Sequence, residues 1–78
     1  MGNCVRKPLL DRDTIKELMY NINLDNVKTI EYRIYNNACV SLYVAMLNGN
    51  NYSMAVHHNT DHFIRSLQHH VNEIIKLN

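Results

Sequence analysis

The spacing of the apolar residues changes twice along this chain of 78 residues, and this change constrains the fold more than any other feature. Apolar residues recur every three or four positions near both ends, which is the period of a helix with one buried side. Between residues 27 and 57 apolar and polar residues alternate, which is the period of a strand with one buried face. The order of the periods predicts an α+β domain that consists of a helix, a three-stranded antiparallel meander and a second helix.

The two predicted helices have recognisable starts. Asp11 or Asp13 can cap the first, where residues 14–17 also fit a capping box, and Asn59 or Thr60 can cap the second. Their apolar stripes consist of Ile15, Leu18, Met19 and Ile22 in the first helix, and of Phe63, Ile64, Leu67, Val71, Ile74 and Ile75 in the second. Because each helix has a single stripe, we expect both to cover the same face of the sheet in a two-layer domain, with the second helix the longer.

The register of the meander can be predicted from its turns, because directly opposed residues on neighbouring strands point to the same face. A three-residue loop over residues 36–38 aligns the apolar faces of the first two strands, whereas a two-residue loop does not. A three-residue turn over residues 48–50, with Gly49 or Asn50 at positive φ, does the same for the next pair. The predicted pairs are Ile34 with Val40, Tyr32 with Leu42, Ile30 with Val44, Met46 with Tyr52, Val44 with Met54, and Leu42 with Val56.

This register leaves small and aromatic side chains on the face of the sheet that no helix covers. Tyr43 lies at the centre, Ala55 is expected beside it, and Tyr35 is expected opposite Cys39. A contiguous apolar strip on an exposed sheet is typical of an interface, although an ordinary solvated face also carries scattered apolar residues. We predict a partner-binding surface, the Tyr43 strip, that consists of Tyr35, Cys39, Ser41, Tyr43, Ala45, Leu47 and Ala55.

A second candidate surface is the outer side of the predicted last helix. We name it the basic stripe, and its members are His62, Arg65, His69 and Lys76. It predicts contact with an acidic protein or a phosphate group that is sensitive to salt and pH, and the alternative is a solvated helix face. The five histidines lack the Glu-x-x-His or Cys-x-x-Cys spacing of metal sites, so we predict no bound metal.

Composition narrows the class of protein. Eight Lys and Arg against seven Asp and Glu give a net charge of +1, so no overall field attracts nucleic acid or acidic lipid. No apolar run approaches the roughly 20 residues of a membrane span, and the chain does not open with a secretory signal pattern. Two cysteines without motif spacing are typical of a reducing compartment, so we expect a cytoplasmic protein. A chain this short buries little surface, which favours a protein partner or a homodimer.

The first residues suggest an alternative in which lipid groups attach the chain to a membrane. Residues 1–8 show no periodicity and end in a proline, so we predict a flexible tail ahead of one domain over residues 9–78. Gly2 and Cys4, followed by Arg6 and Lys7, resemble a myristoylation and palmitoylation signal with a basic flank. Arg6 stands where that motif prefers Ser or Thr. The resemblance implies an acylated, membrane-associated adaptor as one alternative.

Two family resemblances follow from the predicted element order. Helix, three strands and helix is similar to the double-stranded-RNA-binding domain, which implies a nucleic-acid-binding alternative. That family has a lysine-rich start to its second helix, and residues 59–62 here contain no lysine. The size of the chain and its predicted element order also resemble the small phage-encoded anti-CRISPR inhibitors, which implies that the protein blocks a partner's surface. The twelve asparagines are typical of a protein from an A/T-rich genome.

No catalytic arrangement is evident in the sequence. The chain has two glycines and no phosphate-cradling glycine loop, and no spacing pairs a nucleophile with a base. We therefore predict a non-enzymatic binding protein without a cofactor, which could be a phage or viral inhibitor that acts through the Tyr43 strip and the basic stripe.

Overall fold

The computed structural model describes residues 8–77, which form one α+β domain with a four-stranded sheet. In chain order the elements are α1 Arg12–Leu18, a 3₁₀ turn Leu24–Asn26, β1 Val27–Asn36, β2 Cys39–Met46, β3 Asn51–His57, α2 Thr60–Gln68 and β4 Ile74–Leu77. The strand order is β3-β2-β1-β4, with β1 and β4 parallel. The predicted order of helix, meander and helix is therefore wrong, because a fourth strand follows α2.

The last segment differs most from the prediction. α2 ends at Gln68, and Ile74–Leu77 then runs along β1 with Ile74 beside Ile30. An apolar run of this length fits a helical stripe and a short strand equally well. The adjacent β-branched pair Ile74 and Ile75 favours a strand, and pairing with β1 supplies the backbone hydrogen bonds that a longer helix would have made internally.

The first helix begins as predicted and ends early. Asp11 is its cap, and its Oδ1 accepts a 2.8 Å hydrogen bond from the Thr14 N–H. At the other end the Asn21 N–H donates to the Lys16 carbonyl over 2.8 Å, while Tyr20 and Asn21 have φ values of 56° and 63°. Together with a 3.3 Å bond from the Tyr20 N–H to the Glu17 carbonyl, this bond forms a Schellman-type cap, which ends the helix before Ile22.

The core lies between the two helices and one face of the sheet. Ile15 and Met19 come from the first helical segment and Phe63 and Leu67 from α2, and all four are fully buried. The strands contribute Ile30, Tyr32, Val40, Leu42, Val44 and Val56 to the same cluster. Since these strand residues share one face, both helices lie on that face, and neither helix of residues 8–77 lies on the opposite face.

The first turn confirms the predicted register, and the second does not. Ile34 pairs with Val40 as predicted, and a bulge follows before Asn36 pairs with Cys39. On the other side Val44 pairs with Tyr52, two residues away from the predicted partner. The turn is closed by a 2.8 Å bond from the Met46 N–H to the Asn50 carbonyl, with Gly49 at φ 94°. A slip of two residues keeps every side chain on its face, so facing alone could not have detected it.

Candidate functional site: the open face of the sheet

The face of the sheet away from the helices is a four-stranded surface built from alternate residues. Tyr43 on β2 lies between Glu31 on β1 and Ser53 on β3. In the neighbouring row Ser41 lies between Arg33 and Ala55. Tyr43, which is 39% exposed, therefore has small side chains beside it on β2 and β3 and charged side chains beside it on β1.

The fourth strand extends the open face with two apolar side chains, one of which, Ile75, belongs to the predicted helical stripe. Ile75 lies beside Glu31, and Leu77 lies beside Arg33. Ile75 is 47% exposed. The local sequence signal for this strand is the adjacent β-branched pair Ile74 and Ile75, but Val71, Ile74 and Ile75 also keep helical spacing, so the signal does not decide between helix and strand.

Three members of the Tyr43 strip occupy places that differ from the prediction. Ala55 pairs with Ser41 instead of lying beside Tyr43, because β3 is shifted by two residues. Tyr35 lies in the bulge of β1, so it is not opposite Cys39, and it is 78% exposed. Leu47 lies beyond the end of β2.

The Leu47 position is fixed by a backbone contact at one end of the sheet. Its N–H donates to the Asn26 carbonyl over 2.8 Å, which ties the second turn to the 3₁₀ turn. The members that remain together on the open face are Ser41, Tyr43, Ala45 and Ala55, with Cys39 at the far end of β2. A depression of about 360 Å³ beside Tyr43 is lined in part by Glu31, Ala45 and Ser53.

The basic stripe is not assembled as predicted, because α2 is too short. His62 and Arg65 lie on α2, His69 is its C-terminal cap, and Lys76 lies on β4. The Arg65 guanidinium is 3.0 Å from the Asp61 carboxylate, which reduces the positive charge available to an anion. His62 Nε2 lies 3.0 Å from the Pro8 carbonyl oxygen, so this ring is engaged within the domain.

A cleft of about 680 Å³ opens between the second turn and the segment after α1. Met46 and Met54 contribute apolar lining, and Tyr20 and Tyr52 lie at its sides with 68% and 46% of their surfaces exposed. Sequence reasoning missed this cleft. The left-handed conformation of Tyr20, which directs the chain around it, has no sequence signal because a glycine is the usual residue at that cap position.

Titratable side chains outside the open face give little indication of chemistry. The rings of His58 and His62 are 5.8 Å apart between centroids. Within residues 8–77 no group of three or more His, Cys, Asp or Glu side chains is arranged to hold a metal ion. The hydrogen bond from Thr14 lowers the pKa of Asp11, which is a helix-capping effect.

The predicted acylation sites, Gly2 and Cys4, lie outside the described residues, as does most of the predicted tail.

Comparisons with known proteins found no match to this chain. No protein-family model, curated protein or solved structure matches the chain. In the described part of the chain no helix is long and apolar enough to cross a membrane.

Proposed function

We propose that this protein is a small non-enzymatic binding module whose open sheet face docks on a partner protein. The observation that supports this most is that all four strands present a face on which no helix of the described part of the chain lies, with Tyr43 exposed on β2 and Ile75 exposed on the edge strand β4. Exposed apolar surface of this kind more often serves an interface than plain solvation.

The chemistry of the face suits protein contact. Tyrosine is enriched among the residues that dominate binding energy, and it keeps a polar hydroxyl for hydrogen bonding. Small neighbours such as Ser41 and Ala55 allow another surface to approach the sheet closely. Glu31 and Arg33 alternate along β1, which gives a partner one acidic and one basic group by which to fix its orientation. The expected partner surface is apolar at its centre and carries charges of both signs.

Such a module would act by covering a surface on its partner, as an inhibitor does. The resemblance to phage-encoded anti-CRISPR inhibitors stays a prediction, and of its two grounds only size remains, because the fourth strand contradicts the element order. The cytoplasmic location and the acylated amino terminus also stay predictions. The nucleic-acid alternative loses its two supports. Its resemblance depended on an element order that the fourth strand contradicts, and its basic stripe is divided between α2 and β4.

The test is a comparison of two charge-matched variants. Tyr43→Lys adds one positive charge to the open face, and Gln68→Lys adds the same charge to an exposed site at the end of α2. Partners are captured from the source lysate with wild-type protein, identified by mass spectrometry, and measured by titration calorimetry. Loss of a central tyrosine anchor is expected to cost about 2 kcal/mol, which is about thirtyfold in affinity.

The control variant is expected to bind like the wild type. Equal affinities for wild type, Tyr43→Lys and Gln68→Lys would contradict the proposal, because the open face would then contribute nothing. A loss in Gln68→Lys alone would also contradict it, since binding would then belong to the helical side.

A further inference from the structure

A second interaction surface lies at the edge of the sheet and is distinct from its open face. β3 is a terminal strand of the described sheet, so within residues 8–77 one side of its backbone has no strand beside it. Its seven residues, Asn51–His57, include no Lys, Arg, Asp, Glu or Pro. Protein edges are usually protected by a charge, a proline or a bulge, because unpaired N–H and C=O groups otherwise recruit another strand. The other terminal strand, β4, is four residues long and carries Lys76.

We infer that β3 pairs with β3 of a second copy of this chain, antiparallel and about a two-fold axis at Met54. The hydrogen-bond pattern supports this register. The Met46 N–H donates to the Asn50 carbonyl, and alternation along the β2–β3 ladder then directs the peptide groups of Ser53 and Ala55 outward.

With a two-fold axis at Met54, every outward backbone N–H and C=O group of the strand has a hydrogen-bond partner in the second copy. Ser53 pairs with Ala55 of the second copy, and Asn51 pairs with its His57, so each strand meets its partner over its full length. An axis at Ser53 would leave His57 without a partner. The pairing also brings no like-charged Lys, Arg, Asp or Glu side chains together, because the strand contains none of these residues.

Apolar area beside the strand supports a second copy as the occupant. Tyr52 and Met54 project from β3 to the side of the sheet where the cleft lies, and both line that cleft. In the paired arrangement Met54 faces Met54 of the other copy, and Tyr52 lies next to its Val56. A strand ladder alone is a small interface, and these partly exposed side chains bury additional apolar surface beside it. The two four-stranded sheets become one continuous sheet.

The principal measurement is native mass by light scattering across a concentration series. Wild-type protein is expected to be a dimer. Ser53→Pro removes an outward N–H that β2 does not use, so it is expected to weaken self-association at least about tenfold while the circular dichroism spectrum stays the same. Tyr43→Lys is expected to remain dimeric, because the open face is not part of this contact, and this separates the inference from the proposed function.

A cysteine pair tests the register and does not depend on the proline variant folding. With Cys4 and Cys39 replaced by serine, Met54→Cys faces itself across the axis. The Cα separation of such a non-hydrogen-bonded pair is about 4.5 Å, which a disulfide can span. Mild oxidation is expected to link Met54→Cys into dimers and to leave Ser53→Cys, which faces Ala55, unlinked.

Three results would overturn the inference. Wild-type protein could be monomeric at the highest soluble concentration, folded Ser53→Pro could dimerise as strongly as wild type, or Ser53→Cys could crosslink in preference to Met54→Cys. A strand from a different protein at this edge would produce the first of these results.

Discussion

Replacing Ile74 and Ile75 by lysine, one at a time, separates the observed fourth strand from the helical stripe that the spacing of apolar residues predicts. In a helical stripe both isoleucines would face the core, and both substitutions would destabilise the domain severely. On β4 they point to opposite faces of the sheet. Ile74 is packed against the core beside Ile30, and Ile75 is 47% exposed on the open face beside Glu31.

The expected magnitudes follow from these positions. Full burial of an isoleucine side chain contributes about 1.5–3 kcal/mol, so the half-exposed Ile75 contributes about 1 kcal/mol. In Ile75→Lys the aliphatic stem of the lysine still buries part of the apolar surface that Ile75 buried. An opposite-charge pair with Glu31 adds about 0.2–1 kcal/mol of stability. The free energy of unfolding is therefore expected to change by less than about 0.5 kcal/mol. In Ile74→Lys an ammonium group approaches an apolar core, and the expected loss is about 2 kcal/mol or more.

The assay is equilibrium unfolding in urea, with the free energy of unfolding taken from the midpoint at an unchanged slope. Both variants add one positive charge, so general charge effects cancel in the comparison. Equal destabilisation by the two substitutions, or a larger loss for Ile75→Lys, would refute the placement of Ile75 on the open face.

Three further predictions concern how the elements are held. The Ser66 side chain is fully buried, and its hydroxyl donates to the His62 carbonyl and accepts from the Leu10 N–H over 2.9 Å. Ser66→Ala is therefore expected to lower the free energy of unfolding by about 1 kcal/mol and to speed hydrogen exchange at the Leu10 amide, and unchanged exchange would contradict this contact. Asn59 caps α2 by accepting from the His62 N–H, and thermal unfolding of Asn59→Ala is expected to show a loss of about 1 kcal/mol. The lowered pKa of Asp11 contributes stability at pH values above the unfolded-state pKa, and this contribution is lost as the pH falls through the folded-state pKa. Asp11→Asn, which keeps a capping oxygen, should therefore flatten the acidic part of a plot of Tm against pH.

The sequence predicted local features well where the physical signal is local. Asp11 as a cap, the strand alternation and the pairing of Ile34 with Val40 are each determined by neighbouring residues or by one turn. The sequence also placed Ser41, Tyr43 and Ala45 on one face, because alternation alone determines which side chains of a strand share a face.

The features that sequence reasoning missed depend on distant contacts. Whether residues 74–77 continue a helix or form a strand is decided by pairing with β1, more than 40 residues earlier in the chain. The two-residue shift of β3 preserves the facing of every side chain, so no pattern of burial reports it. The cleft beside Tyr20 depends on a left-handed cap at a residue that is not glycine.

The most direct test of the account is a nuclear magnetic resonance titration of the isotope-labelled domain with its captured partner. If the open face binds, the largest chemical-shift changes will occur at open-face residues of neighbouring strands, namely Ser41, Tyr43, Ala55 and Ile75. Residues on the outer side of α2, such as Arg65 and Gln68, should change little. Large changes confined to α2, with the open face unaffected, would contradict the account.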